Sequence, residues 1–362
     1  MTGAPVLLLV DSTDAHERGR QRGAAIRDEL VTGIGIYLDL FTACGIPLAG
    51  VRAGADAAVR ATEAWSPALV AEMRGTADGA GVPLWQVAAL NARTEILSGA
   101  VGSKPGECST IVNAAGRPVG AQTWDWHDEL SGHWHLQRVR GTTREFVGLT
   151  EHGILSKIGM NDAGVGVLLN ILGHRSDRAD GVPVHLVGAR VLAEAGTLAE
   201  AIEILRTAPV STSSAITVLS PEGAAIVELS PVGAAVITPT DGVLLHTNHF
   251  LDSRLGQGEK PGLYDPDSQL RLAVLTERAA QAPLPGEAAA LVDYLVSQPG
   301  DAAALCCVPE PGAVLGNRWA TLATVTLDAA ARTMTVSAGS PAEVAQNEVV
   351  RLTVGPGSPG GR

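Results

Sequence analysis

The sequence predicts an α+β fold, and three observations carry that expectation. The first hundred residues are patterned as helices, with Ala-rich runs broken by Gly and Pro. From residue 108 the pattern changes to short β-rich runs separated by turn residues. Two helical stretches then divide the strands into sets, and short connections within each set imply antiparallel sheets. Two sheets with helices outside them form a layered α+β arrangement.

In order along the chain, a charged, Ala-rich helical stretch runs from Asp14 to about residue 43. Further helices are expected at 53–64, 67–79 and 83–97, the last with Pro83 in its first turn, where a missing N–H matters least. Residues 98–107 are rich in Gly, Ser and Pro and read as a loop. Strands at 109–113 and 118–124 flank a hairpin-like turn at 114–117. Strands at 134–139, 145–150, 154–159 and 164–170 follow. Val184, Val187, Val191, Leu192, Ala195, Leu198, Ile202 and Leu205 recur at three- and four-residue steps, the pattern of a buried helical face across two helices. Next come strands at 213–219, 224–229, 233–238 and 242–247, and helices near 266–281 and 286–297. The last strands are expected at 304–308, 320–327 and 332–338, with a disordered tail from Gly355.

Composition narrows the function classes. The 362 residues carry 26 Lys+Arg against 38 Asp+Glu, a formal charge of −12. That balance argues against a nucleic-acid binder, which presents a basic face. Arg18, Arg20 and Arg22 are the densest basic cluster. Their two-residue spacing turns about 200° per step on a helix, so they read as solvated charges, not one stripe. Four cysteines do not make a disulfide scaffold in a chain this long. The start has no basic n-region, and residues 31–51, although apolar, contain Asp39, several glycines and Pro47. They read as a buried helix ending near Cys44-Gly45. The expectation is a cytoplasmic protein with neither nucleic-acid nor membrane partner.

Cys108 stands at the junction of the loop and the first strand of the hairpin. A free cysteine is ordinarily a small buried hydrophobe. Here, a turn centred near 115–116 makes opposed residue numbers sum to about 231. Cys108 then faces about Thr123, and Asp125 is its diagonal neighbour about 7–8 Å away. Trp124 and Trp126 flank that aspartate. Cys306 and Cys307 read as core strand residues, and Cys44 as buried in a helix. His133 and His135 lie on one strand face, downstream of Asp125, His127 and Asp128. That spacing is one metals use, so a zinc-dependent hydrolase is an alternative.

Glu107-Cys108-Ser109-Thr110 and Gln122-Thr123-Trp124-Asp125-Trp126 together resemble the isopenicillin-N acyltransferase family of autoproteolytic N-terminal-nucleophile hydrolases. Further stretches in the same order support the resemblance. They are Glu17-Arg18-Gly19, 90–96, Thr150-Glu151-His152-Gly153-Ile154, 157–165, His246-Thr247-Asn248-His249 and Asn317-Arg318-Trp319-Ala320-Thr321. The similarity spans roughly residues 15–340.

The resemblance implies a four-layer αββα sandwich. It implies a helical pro-part, 1–107, and a catalytic part, 108–362, that stay together after the Glu107–Cys108 bond is cut. It implies Cys108 as nucleophile, with its own α-amine as base. Asp125 would orient that amine, and Asn248 would stabilise the oxyanion. Arg318, Trp124 and Trp126 would contact substrate, with Arg318 anchoring an acidic group or supporting Asp125. Without the resemblance, Asn248 reads as a turn residue, Asp125 as a solvated strand end and Arg318 as a surface charge. The expected partner is a small acyl or amide molecule, acyl-coenzyme A among the candidates, with no cofactor. Glu107 and Asn317 depart from the glycine and serine that the resemblance leads one to expect. A homologue that folds without maturing is therefore a second alternative.

Overall fold

The computed structural model describes residues 5–100, 108–261 and 267–355. The chain opens with β1 (Leu7–Asp11), then α1 (Ala15–Ala25), α2 (Arg27–Ala43), α3 (Leu48–Trp65), α4 (Pro67–Ala80), α5 (Leu84–Asn91) and α6 (Arg93–Leu97). After Cys108 come β2 (Thr110–Asn113), β3 (Val119–His127), β4 (Trp134–Arg140), β5 (Phe146–Glu151), β6 (Ile158–Asn161) and β7 (Gly166–Ile171). Helices α7 (Val184–Glu194) and α8 (Leu198–Thr207) lead to β8 (Ser214–Ser220), β9 (Gly223–Ser230), β10 (Gly233–Ile237) and β11 (Val243–His246). The short α9 (Ser253–Gly256), α10 (Asp267–Gln281) and a 3-10 segment, Ala288–Leu295, precede β12 (Trp319–Asp328), β13 (Thr333–Ala338) and β14 (Val349–Thr353).

Among the described residues the strands form two sheets. One has eight strands in the order β1-β4-β5-β6-β7-β8-β9-β10; the other has six, β11-β2-β3-β12-β13-β14. The β1–β4 pair is parallel and the rest are antiparallel. The sheets face each other. Gly120 of β3 lies against Leu219 and Leu168, and Gln122 Nε2 donates across the gap to Leu169 O at 3.0 Å. Helices α7 and α8 cover the outer face of the eight-stranded sheet. The other outer face buries Ile111, Val119 and Ala121 under Val274 and Leu275 of α10 and Leu291 and Leu295 of the 3-10 segment. The architecture is α+β with αββα layers.

Local chemistry accounts for the element ends. Asp14 caps α1 by accepting from Glu17 N at 2.8 Å, and Thr197 caps α8 by accepting from Glu200 N at 3.1 Å. The β2–β3 turn has Gly116 at φ 70°, where a side chain would be strained. Its register is Thr110↔Gln122, so opposed numbers sum to 232, one more than expected.

The helical region corrects the reading of the arginine cluster. Arg20 is exposed, but Arg22 is fully buried and Arg18 is 6% exposed. Both reach Glu72 of α4, Arg22 at 2.6 Å and Arg18 at 3.0 Å. The reason is the close crossing of α1 and α4. A Cβ on Gly19 or Gly23 would overlap the carbonyls of Glu72 or Thr76. One on Gly75 or Gly79 would overlap those of His16 or Arg20. Backbones that close leave no solvent for side chains beside the seam.

Three further expectations change. Residues 7–11 form a strand, so the stretch before Cys108 is not wholly helical. The helix expected at 286–297 is of 3-10 type. No strand forms at 304–308. That segment is tied to β12 at Thr321, whose N–H donates to Cys307 O at 3.0 Å and whose Oγ1 accepts from Cys307 N at 2.9 Å. Cys306 and Cys307 are half-buried loop residues, not core strand residues. Within 31–51, α2 ends at Ala43 and the chain turns at Gly45, φ 75°. Among the described residues no single helix is long and apolar enough to cross a membrane. The α2–α3 pair passes only when taken together, with a 115° bend. The expected tail falls largely on residues 356–362, outside the described residues.

Candidate active site

Two ladders converge on Cys108. The β2–β3 register, extended by two residues, sets 108 beside 124. The β11–β2 register is His246↔Thr110, so the same extension sets 108 beside 248 on the other side. Cys108, two residues before β2, is thus held between the β3 strand and the segment leaving β11.

Both peptide groups of Cys108 are engaged. Its N–H donates to Asn248 Oδ1 at 3.0 Å. Its carbonyl accepts from Asn170 Nδ2 at 2.9 Å and from Arg271 Nη1 at 3.2 Å. Asn170 is fixed in turn by Thr110 Oγ1 at 2.7 Å. Asn248 is fully buried, and its backbone N–H donates to Ser268 Oγ at 2.7 Å. Its Nδ2 donates to Ile171 O at 2.9 Å. An amide nitrogen has two hydrogens, so one remains for a further acceptor. Asn248 lies two residues beyond β11 and is a buried clamp on Cys108.

Cys108 is 7% exposed. Burial, reinforced by the Asp125 carboxylate, pushes its thiol up to about 11. The Asp125 backbone N–H, Lys157 and Arg271 act the other way. Asp125 is 2% exposed and accepts from Thr321 Oγ1 at 2.6 Å. Asp125 and Thr321 are opposed across β3–β12, next to a β-bulge at 321–323 that re-aims this edge of the site.

Trp124 and Trp126 do not share the face of Asp125. Strand alternation turns both toward the other sheet, 1% and 6% exposed. There they cover a buried ionic cluster. Arg93 lies 3.8 Å over the Trp126 ring and Lys157 lies 4.0 Å over the Trp124 ring. Glu151 joins them, 2.7 Å from Arg93 and 2.9 Å from Lys157, and accepts from the Tyr37 hydroxyl. Burial lowers Lys157 to about 7, against the pull of Glu151. Burial alone would raise Glu151, but Arg93 and Lys157 outweigh it and hold the carboxyl below its usual range.

Arg318 is half-buried and pairs with Asp128, Nη2 to Oδ2 2.8 Å. Asp125 accepts its hydroxyl hydrogen bond from Thr321 of β12. Glu107, the expected cleavage residue, lies outside the described residues. The paired histidines do not build a metal centre. His135 is buried and stacked on His152, ring centroids 5.1 Å apart, and no group of three or more metal-ligating side chains occurs among the described residues.

A family described as "Acyl-coenzyme A:6-aminopenicillanic acid acyl-transferase" matches residues 112–343, well over half of the chain. The chain belongs to this family. The acyl-transferase match contains Asp125, Asn248 and Arg318 and begins four residues after Cys108. A curated relative is the 40 kDa form of acyl-coenzyme A:6-aminopenicillanic-acid-acyltransferase of Emericella nidulans. It is 29% identical over 191 residues, 51% of this chain and 52% of that protein. The chain thus spans about half the length of the curated relative it matches. Among solved structures, penicillin V acylase from Agrobacterium tumefaciens gives a TM-score of 0.45 at 16% identity, covering 68% of this chain and 86% of that one. A Caenorhabditis elegans orthologue of N-acylethanolamine-hydrolyzing acid amidase gives 0.43 at 18%, covering 61% and 93%.

Arg271, Asn170, Thr321 and the Arg93–Glu151–Lys157 cluster were not among the expected site residues. Glu151 and Lys157 do lie in stretches that carried the resemblance to the acyl-transferase family, and a glutamate and a lysine six residues apart at a strand–turn–strand join could have marked them. Arg271 carries no such signal, because Asp267 and Arg271 at i,i+4 read as an ordinary helix-surface pair.

Proposed function

We propose that this protein is a self-processing cysteine N-terminal-nucleophile enzyme, an amide hydrolase or acyltransferase that works through a Cys108 thioester. The observation that carries the reading is the double hold on Cys108. Its nitrogen is bonded to Asn248 and its carbonyl to Asn170 and Arg271, immediately after the Glu107–Cys108 bond.

In maturation, Cys108 Sγ attacks the Glu107 carbonyl carbon. The C–N bond to Cys108 breaks, its nitrogen takes the proton lost by the thiol, and a thioester results. Water then hydrolyses that thioester, giving a Glu107 carboxylate, the free thiol and an α-amine on Cys108. Burial and the Asp125 carboxylate disfavour the thiolate, while Lys157 and Arg271 favour it, so the two cations help the attack at this stage. Afterwards the α-amine, ordinarily about 7.7–8.0, serves as base.

In turnover, the thiol attacks an acyl carbon and passes its proton to the amine, which returns it to the leaving group. Asn248 Oδ1 orients the amine, while the second Nδ2 hydrogen faces the oxyanion. Water or an amine then takes the acyl group. Asp125 fixes the approach from the Thr321 side, and Arg318, still half-exposed, meets an acidic group of the substrate. Trp124 and Trp126 support the site through the ionic cluster behind it. The parts 1–107 and 108–362 remain together because Arg93 and Tyr37 of the first are buried on Glu151 of the second. The family name favours acyl-coenzyme A as acyl donor.

The test is a panel of acyl-coenzyme A, N-acyl amino acids, short peptides and β-lactams, with the acylated Cys108 peptide trapped by acid quench and identified by mass. The expected result is an acyl adduct on Cys108 with at least one donor, and a loss of about 10²–10³ in turnover for Asn248→Ala. Turnover that survives in Cys108→Ala contradicts the proposal.

A further inference from the structure

Arg271 of α10 hydrogen-bonds to the Cys108 carbonyl, and its own side chain is 1% exposed. Its Nη2 donates to Asn248 Oδ1 at 3.0 Å, the same oxygen that accepts the Cys108 N–H at 3.0 Å. Its Nη1 reaches both Cys108 O and Ser109 Oγ at 3.2 Å. Its Nε donates to Asp267 Oδ2 at 2.6 Å. One rigid fork therefore touches the nucleophile residue and the side chain beside it.

We infer that Arg271 is a positioning residue that locks the Asn248 carboxamide with its oxygen toward the Cys108 nitrogen, and whose charge keeps the amine freed by self-cleavage uncharged at neutral pH. This rests on the self-processing reading above. The locking argument is one of donors. Two N–H groups aim at one atom of the carboxamide, and only its oxygen can accept both. Turning the amide over would set two donors against its NH2 group, so the fork keeps Nδ2 on the opposite side, toward Ile171.

The charge argument follows from the shared oxygen. Two nitrogens each 3.0 Å from one atom are at most about 6 Å apart, within the range where a like charge disfavours protonation. An ammonium on Cys108 would face the guanidinium in a water-poor site. An uncharged amine takes the thiol proton as the S–C bond forms, then gives it to the leaving group as the bond between the acyl carbon and that group breaks. Among the described residues, the other charges that act on Cys108 include Asp125 from β3, which favours the ammonium, and Lys157 ahead of β6, which opposes it. Asp267 partly neutralises Arg271 from the far side.

The experiment uses the full chain and p-nitrophenyl acetate as acylating probe, and reads the acylation rate against pH. Wild type is first confirmed by mass to be divided before Cys108. Arg271→Met should move the acid limb up by about one pH unit. Arg271→Lys, which keeps the charge but loses the fork, should keep the wild-type limb with a lower plateau. Asp267→Asn should move the limb down, a direction that general loosening of the site does not produce. If Arg271→Met fails to mature, Asp267→Asn decides alone. Acid limbs that coincide with wild type in both Arg271→Met and Asp267→Asn overturn the inference and leave self-processing standing. A wild type that is never divided overturns both.

Discussion

Asp125 acts on Cys108 in two opposed ways. Its carboxylate raises the thiol, second only to burial, while its backbone N–H favours the thiolate. Replacing the carboxylate by an amide keeps the second effect and removes the first. Asp125→Asn should therefore shift alkylation of Cys108 by iodoacetamide to lower pH than in wild type, read from the modified peptide across a pH series. An unchanged or higher midpoint would place the carboxylate too far from sulfur to matter. Thr321→Val removes the hydroxyl donor at 2.6 Å and leaves a buried carboxylate one bond short. It should lower stability by about 1–3 kcal/mol, read by urea unfolding. At this scale the sequence was informative where chemistry is local. Cys108 and Asn248 stand in stretches that carry the family resemblance, and that made them candidates. Arg271 was illegible because its meaning depends on which residues, more than twenty positions away, the fold brings to its fork.

Helices α1 and α4 show how an element can hide its role from periodicity. Gly19 and Gly23 on one, and Gly75 and Gly79 on the other, repeat at four residues and let the backbones touch. Ala has the higher helix propensity, so Gly23→Ala gains about 0.5–1 kcal/mol locally. The new methyl meets the Thr76 carbonyl, which no side-chain rotation can relieve, and overpacking of this kind costs about 1–3 kcal/mol. The net expectation is a lower melting temperature for Gly23→Ala. Gly35→Ala on α2, with nothing within 4 Å of the added carbon, should raise it. If both variants melt alike, the close crossing is not what holds these helices. The solvated reading of Arg18 and Arg22 failed because helical spacing describes one helix, and these two are buried by a second. Strands from β2 to β11 were legible as local β-rich runs between turn residues, even where a partner is distant, as β12 is from β3. The edge strands β1 and β14 were not, although the edge strands β10 and β11 were; β1 finds its partner, β4, more than 120 residues away.

Across the whole molecule, buried groups set the response to acid. Burial lowers His127 to about 3 and His152 to about 4, and holds His135 and His185 well below their usual value. A histidine whose folded value is depressed binds fewer protons than the unfolded chain, so its stabilisation is full above about 6.5 and is lost as pH falls toward the folded value. Glu151 adds a carboxylate effect of the same sign at lower pH. The melting temperature should fall steadily from pH 6.5 to 4, and His127→Gln should flatten part of that slope. A flat profile over that range would mean these rings are not held neutral. The same core ties the stretch before Cys108 to the stretch after it, through Arg93–Glu151, Arg22–Gln137 at 3.2 Å and Asn91 Nδ2 on Gly153 O at 2.8 Å. The layered class was readable from the order of elements. Which side chains cross from one part to the other was not, because pairs 58 to 115 residues apart leave no local pattern.

Self-division at Cys108 is the claim on which the mechanism turns, and intact mass under denaturing conditions tests it most directly. Scaling 37.1 kDa by residue number, wild type should give pieces of about 11 and about 26 kDa, with the larger beginning at Cys108. Cys108→Ala should give one undivided chain. Wild type that remains whole after long incubation at neutral pH, or Cys108→Ala that divides at the same bond, would contradict it.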